Sequence, residues 1–463
     1  MSYPPLILPV VFTNQTHFQF QAKRDGELMM SVERSPKSEP TPDPGRRDFL
    51  KSSALAAAGG RGLDSALTRS VYAAGVEPIR EGVVGCGGRG TGAAVQTLRA
   101  DPNTKLVAMA DAFSDHLERS HSSLIATEVA DQIDVPPERR FVGFDAYKQL
   151  IDSGVDLVLL ATPPHFRPEH FAACVAADKH TFVEKPVAVD GPGVRSVLAT
   201  SELARQKGLM VVSGLCWRYE TNMQETIKQI HDGAIGDIIS MHSVRYSGGV
   251  KSTPRQPGWS EMEYQMRNWY YFTWLSGDFN TEQFVHELDK LSWVKGEYPV
   301  RVYGTGGRQA RTGEEYGHIY DHFSTVYEYA DGTQYYATTR HQRGCSNEFT
   351  DWVFGTEGTA NLMKFTIEGK NPWRGGRRKT VMHQLEHDAL YAALRKGEII
   401  NNGDYMAKST MMGIIARMVA YTGKSLTWEQ AMASEEKLGP KVYDWNADIE
   451  VPTVAVPGVT PFI

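Results

Sequence analysis

Three stretches of this chain carry side chains whose types and spacing could do chemistry. The first is Gly85-Cys86-Gly87-Gly88-Arg89-Gly90, a Gly-x-Gly-x-x-Gly run entered from Val83-Val84 and followed by apolar positions at Ala93, Ala94, Val95 and Leu98. In a strand-to-helix turn the first glycine permits the tight bend and the second lets a pyrophosphate approach the backbone. The third lets helix and strand pack closely. Unpaired N–H groups at the helix start then meet the phosphates. The second stretch is Glu184-Lys185-Pro186, at the end of the apolar run His180-Thr181-Phe182-Val183. An ammonium beside a hydroxyl being oxidised stabilises the developing alkoxide, and Pro186 fixes the backbone next to it. A plain surface lysine is the alternative. The third is the segment 280–290, where Glu282, His286 and Asp289 fall at i, i+4 and i+7, one polar face of a single expected helix. A carboxylate one turn from an imidazole orients it and raises its basicity, which suits a general base near neutral pH. A solvated helix face with ordinary charge pairs reads the same way. With one histidine in the cluster, no metal is expected.

The elements that must position these groups follow from the pattern between them. A second strand, Lys105-Leu106-Val107-Ala108-Met109-Ala110, ends at Asp111, about twenty residues past the glycines, where a carboxylate reaches an adenosine ribose 2′-OH. Asp111 therefore favours NAD, with NADP less suited because its 2′-phosphate would be repelled. Strand and helix patterns then alternate through Val155-Asp156-Leu157-Val158-Leu159-Leu160-Ala161, the turn Thr162-Pro163-Pro164, the Glu-Lys-Pro strand and Leu209-Met210-Val211-Val212. Alternation of this kind predicts a doubly wound parallel α/β sheet of the Rossmann type over 79–216. Ligands on such sheets sit beyond the carboxyl ends of the strands. Gly85, Gly87, Gly88, Arg89, Gly90, Asp111, Thr162, Pro163, His165, Glu184 and Lys185 are thus expected along one rim. From 217 to 445 strand patterns dominate, with Asp331-Gly332 as a hairpin signal, and two helices close the segment. This predicts an α+β domain on a large, mostly antiparallel open sheet, followed by a Pro-rich tail over 446–463. The run Trp269-Tyr270-Tyr271-Phe272-Thr273-Trp274 reads as core, although sugar sites also stack on such rings.

At 463 residues there is length for two or three domains. The 49 basic and 55 acidic residues are mixed along the chain, so no basic stripe points to nucleic acid, and no apolar run approaches a membrane span. Cys86, Cys174, Cys216 and Cys345 are widely spaced without a Cys-x-x-Cys pair, which argues for free thiols. Residues 1–78 do not read as part of the fold. A Pro/Ser/charged segment there precedes Gly45-Arg46-Arg47-Asp48-Phe49-Leu50-Lys51 and an Ala-rich run. Paired arginines ahead of such a run resemble a twin-arginine export signal. This predicts a disordered N-terminus, passage through the twin-arginine translocase and a periplasmic or otherwise exported protein. A basic tail on a cytoplasmic protein is the other reading.

A strand ending in Glu184-Lys185-Pro186, about 95 residues beyond the glycine loop, resembles the Gfo/Idh/MocA oxidoreductases. Ile235-Gly236-Asp237-Ile238 and Gly355-Thr356-Glu357-Gly358 are also similar to that family, and the likeness spans about 79–440. It implies an N-terminal Rossmann domain, an open-sheet second domain, sugar or polyol substrates between them, and dimers or tetramers through the sheet. It also implies that Lys185 lies at the active site and that His286 acts as base. The family pairs its histidine with an aspartate where this chain has Glu282, so Asp289 is the other candidate to orient the ring. Arg218 and Tyr219 match a point where the family places substrate contacts, and Arg340 is a further candidate from the sheet. The expected activity is hydride transfer between NAD and a CH–OH group. The alternative is the NAD-dependent α-N-acetylgalactosaminidase type, which has a similar fold, carries twin-arginine signals and works by transient oxidation, elimination and re-reduction. Those enzymes lack the lysine of Glu-Lys-Pro, so Lys185 argues for a dehydrogenase.

Overall fold

Strand β1 (Ile79–Val84) is buried at every position except Arg80, as a strand in the middle of a parallel sheet must be. The computed structural model describes residues 77–376, 380–447 and 449–463. Arg46, Arg47 and the disorder and export signal expected around them lie outside the described residues. A tight turn joins β1 to helix α1 (Gly88–Ala100), and β2 (Thr104–Asp111), β3 (Arg140–Val142), β4 (Leu157–Leu160), β5 (His180–Val183) and β6 (Val211–Ser213) complete a six-stranded parallel sheet. Its order is β3-β2-β1-β4-β5-β6. The strand order reverses between β1 and β4, so the loops leaving them diverge and open a crevice. Helix α2 (Gly191–Lys207) begins where the Asp190 side chain accepts from Gly193 N at 2.8 Å and ends at left-handed Gly208.

Beyond this sheet, the segment predicted as one helix is two. Helix α3 (Phe279–Glu282) stops, and α4 (Val285–Lys295) starts after Gln283 and Phe284. Phe279 and Phe284 are both buried, but in different places: Phe279 packs in an aromatic cluster with Phe323, and Phe284 in the core shared by both sheets. Between them the regular helical pattern is interrupted, with Phe284 N donating to Phe279 O at 3.3 Å. Glu282, His286 and Asp289 therefore do not share a helix face.

The second sheet comprises β7 (Ile238–Ser247), β8 (Arg301–Gly307), β9 (His322–Glu328), β10 (Gln334–His341), β11 (Glu348–Gly355), β12 (Gly358–Asn361), β13 (Thr366–Gly369), β14 (Trp373–Arg374) and β15 (Leu426–Thr427). These nine strands run in the order β14-β13-β12-β11-β7-β10-β9-β8-β15, antiparallel throughout except for the β7–β10 pair. Two glycine motifs far apart in sequence meet at one end of its interior strands β7 and β11. Gly236, at φ +70°, lies so close to Thr356 that a Cβ would meet its hydroxyl, and Asp237 N donates to that same oxygen at 3.0 Å.

Helix α5 (Met382–Lys396) and helix α6 (Gly403–Thr422) tie the two sheets together. Leu390, Tyr391 and Leu394 of α5 join the core formed by Ile79, Val83 and Leu98, so this late helix completes the first sheet rather than the second. Helix α6 is buried on all sides, with Met411, Ile414 and Ile415 in the core shared by both sheets. The terminal segment expected as a tail also packs. Ala447, Ile449 and Ala455 lie against an aromatic cluster that includes Tyr264 and Trp274. Among the described residues no helix is long and apolar enough to cross a membrane.

Within β1, Glu81 is fully buried and accepts from Thr97 Oγ1 at 2.8 Å and from the Tyr391 hydroxyl. Burial pushes its carboxyl up to about 8. The folded state thus holds a proton that the unfolded chain releases at acidic pH, and this stabilising proton is lost as pH rises through the folded value. The melting temperature of the wild type should fall relative to a Glu81→Gln variant between about pH 5 and about pH 9. A difference between the two that stays constant over this range would show that Glu81 is buried as a carboxylate.

Candidate functional site

The crevice between the β1 and β4 loops widens into a cavity of about 460 Å³, within the range of small-molecule sites. Its floor is the glycine turn. Gly85, at φ +97°, passes so near Ala161 and Thr162 that a Cβ would collide with their backbone, and Gly90 lies equally close to the Gly85 carbonyl. Gly87 and Gly88 have nothing within 4 Å of a Cβ position, and α1 begins there with its first N–H groups free. A dinucleotide pyrophosphate fits this cradle. At the end of β2, Asp111 accepts from Cys86 N at 2.6 Å and Phe113 N at 2.9 Å. Those two donors aim its carboxylate at the cavity, although burial still raises its pKa. Thr162 and Pro163 form the facing wall, and Thr162 Oγ1 is buried without a partner. Arg89 leans over the loop with Nε 3.0 Å from Glu184 Oε1.

The reactive end lies where β5 meets α3. Lys185 Nζ donates to the Glu282 carbonyl at 2.6 Å and to Glu282 Oε1 at 2.9 Å, so Glu282 serves the lysine and not the histidine. His286, from the first turn of α4, enters the same cavity with its Nδ1 buried and without a hydrogen-bond partner. Burial first, then the nearby Lys185, Arg245 and Lys290, holds its pKa well below the usual histidine value. The ring is therefore neutral and able to accept a proton, while the tethered ammonium beside it can hold an oxygen that is becoming negative.

Several expected residues lie elsewhere. Gly90 packs behind the loop rather than lining the cavity. His165 bonds the Tyr443 hydroxyl at 2.6 Å, and its burial pushes its pKa down to about 4. Asp289 does not reach His286. It accepts from Arg218 Nε and Nη2 at 3.0 and 2.8 Å and from Ser409 Oγ at 2.8 Å, which makes Arg218–Asp289 an internal ion pair stacked on Tyr405. Tyr219 donates to Asn402 Oδ1 at 2.8 Å. Arg340 lies on the second sheet against Tyr246 and binds the Ser346 carbonyl at 2.7 Å, away from the cavity. Its neighbour His341 instead bonds Gln283 Oε1 at 2.6 Å and steadies a residue of the cavity wall. Of the aromatic run, Trp269 lines the cavity.

Sequence reasoning missed Arg167, Arg245 and His383, all of which line the cavity. Arg167 is buried and donates to the Pro186 carbonyl. Arg245 pairs with buried Glu287 at 2.8 Å. A charge inside a strand such as β7 was the available signal for Arg245, and His383-Gln-Leu-Glu386-His387 was the signal for His383.

Residues 79–215 match the model of the Gfo/Idh/MocA oxidoreductases, described as having an NAD-binding Rossmann fold, and residues 223–361 match a C-terminal domain of the same family. An inositol 2-dehydrogenase from Rhizobium meliloti (strain 1021) is 26% identical over 256 residues, 55% of this chain and 67% of that one. A glycosyl hydrolase family 109 protein from Streptomyces coelicolor is 30% identical over 165 residues, 35% of this chain and 33% of that one. With several curated relatives the chain spans about a third to a half of their length. The crystal structure of an aldose-aldose oxidoreductase from Caulobacter crescentus complexed with glycerol shares the fold, with a TM-score of 0.58 and 17% identity over 76% of this chain and all of that one. Both halves of the fold thus match one family in the order in which they occur, and the chain belongs to the Gfo/Idh/MocA oxidoreductases, with their NAD-binding Rossmann fold.

Proposed function

We propose that the protein is an NAD-dependent oxidoreductase acting on a CH–OH carbon of a sugar, polyol or sugar derivative. The observation that carries this reading is the placing of the Lys185 ammonium and the neutral His286 in the same cavity as the glycine cradle. Bound NAD supplies the hydride acceptor. Lys185, tethered by Glu282, holds the carbinol oxygen, and His286 takes its proton as the carbonyl forms. Asp111 selects the free ribose 2′-OH over a 2′-phosphate.

The relative described as a glycosyl hydrolase favours a second reading, in which hydride returns to the same sugar after elimination. Export through the twin-arginine translocase, for which Arg46-Arg47 speaks, would suit either a hydrolase of that kind or a two-sugar cycle, because NAD loaded before export could not be exchanged outside. Ile239, Tyr336 and Phe354 are exposed on the second sheet, which supports pairing with a second copy of this chain.

Lys185→Met and His286→Ala should each lower turnover by roughly a hundredfold or more while NAD stays bound. A fully active His286→Ala enzyme would remove His286 as the base. Because the pKa of His286 is depressed, kcat should hold on the acid side to below the ordinary histidine value of 6.5, and an acid limb that begins above that value would contradict the neutral ring. Wild type should bind NAD more tightly than NADP, and Asp111→Ala should narrow the gap; equal affinities in wild type would sink this preference. Protein purified without added nucleotide should turn over a sugar panel if the cycle is closed. Dependence on free NAD with accumulating NADH would leave a simple dehydrogenase.

A further inference from the structure

We propose that Cys216, His383 and Glu386 form a binding site for one divalent cation of the zinc type, set into the wall of the cofactor cavity. Cys216 lies just beyond β6, while His383 and Glu386 come from the first turns of α5. One ligand atom from each lies within 4.8 Å of the other two. Glu386 is completely buried, and among the described residues neither of its oxygens has a hydrogen-bond partner; His383 Nδ1 has none either. Among the described residues, the basic side-chain nitrogens near the carboxylate are His383 Nδ1 at 3.6 Å and His387 Nε2 at 3.9 Å, too far for hydrogen bonds. His387 is also fully buried, with both ring nitrogens unpartnered.

Isolated buried carboxylates are costly and are normally paired or bound to metal. The nearby guanidinium that could serve, Arg89, is engaged with Glu184. Among the described residues no lysine or arginine nitrogen lies within ion-pairing distance of Glu386, and a divalent cation would fill that place. Positions i and i+3 put His383 and Glu386 on one helix face. A thiolate, an imidazole and a carboxylate suit zinc or cobalt and disfavour magnesium or calcium, which take oxygen donors. Three protein ligands leave one coordination position for an exchangeable ligand. His383 also lines the cofactor cavity, so the cation would adjoin bound ligand. Binding would displace the Cys216 thiol proton into solvent.

The test uses the full chain and metals alone. After zinc loading and gel filtration, wild type should retain about one equivalent of zinc per chain. Cobalt loading should give a thiolate-to-metal charge-transfer band that is absent from Cys216→Ser, a variant that retains the exposed Cys345. Glu386→Gln and Cys216→Ser should each weaken zinc binding by roughly tenfold or more, with circular dichroism and NAD binding reporting that the variants are folded. Wild type that keeps no stoichiometric zinc or cobalt would overturn the site. So would a bound cobalt that lacks the thiolate band, a measurement made on wild type and independent of whether any variant folds.

Discussion

The contact between Lys185 and Glu282 is the interaction on which the arrangement of the cavity depends. It joins the end of β5 to the short helix α3, with the ammonium bound by both the carbonyl and the carboxylate of one residue. Both side chains are mostly shielded from water, at 15% and 14% exposure. Exposed ion pairs contribute little, but a partly buried ammonium without its carboxylate would be an uncompensated charge beside Arg167 and Arg245. Glu282 thus fixes where the lysine points and also closes the wall that keeps His286 dry and neutral.

The same pairing was not visible in the sequence, where one helix was expected across residues that α3 and α4 divide between them. Glu282 and His286 were legible as candidates from their types and their spacing. Their partners were not, because the break between α3 and α4 sends Phe279 into the aromatic cluster and Phe284 into the core shared by both sheets, a tertiary demand that periodicity over eleven residues does not reveal. Arg218 and Asp289 look like site groups in sequence, yet they satisfy each other against Tyr405, and sequence alone does not show which charges are self-contained. The first sheet was readable because its strands are continuous apolar runs ended by glycine or proline turns. The destination of α5 was hidden, since a helix that follows an antiparallel sheet gives no local sign that it will pack on a different one.

Charge in the cavity is arranged by depth. Asp111, held by two backbone N–H groups, lies at the end suited to a ribose, and Arg89 lies over the open glycine cradle. Lys185, Arg245 and the neutral His286 gather at the other end. An extended ligand with an uncharged sugar at one end and a reacting oxygen at the other matches this order. The buried side chains of Glu287, Lys290 and Asp351 continue the network under the second sheet, and they fix Arg245 from behind.

The docking of α5 on β1 and α1 has a consequence for synthesis on the ribosome. Glu81 waits for the Tyr391 hydroxyl, and Asp101 for the Arg395 guanidinium. These partners are made some three hundred residues later. As it emerges, the amino-terminal half carries an uncovered apolar flank that no neighbouring segment can shield. The nucleotide-binding half thus lacks part of its core until the chain is nearly complete. A fragment ending after β6 would miss the helix that covers this flank and would be a poor stand-in for the module it encodes.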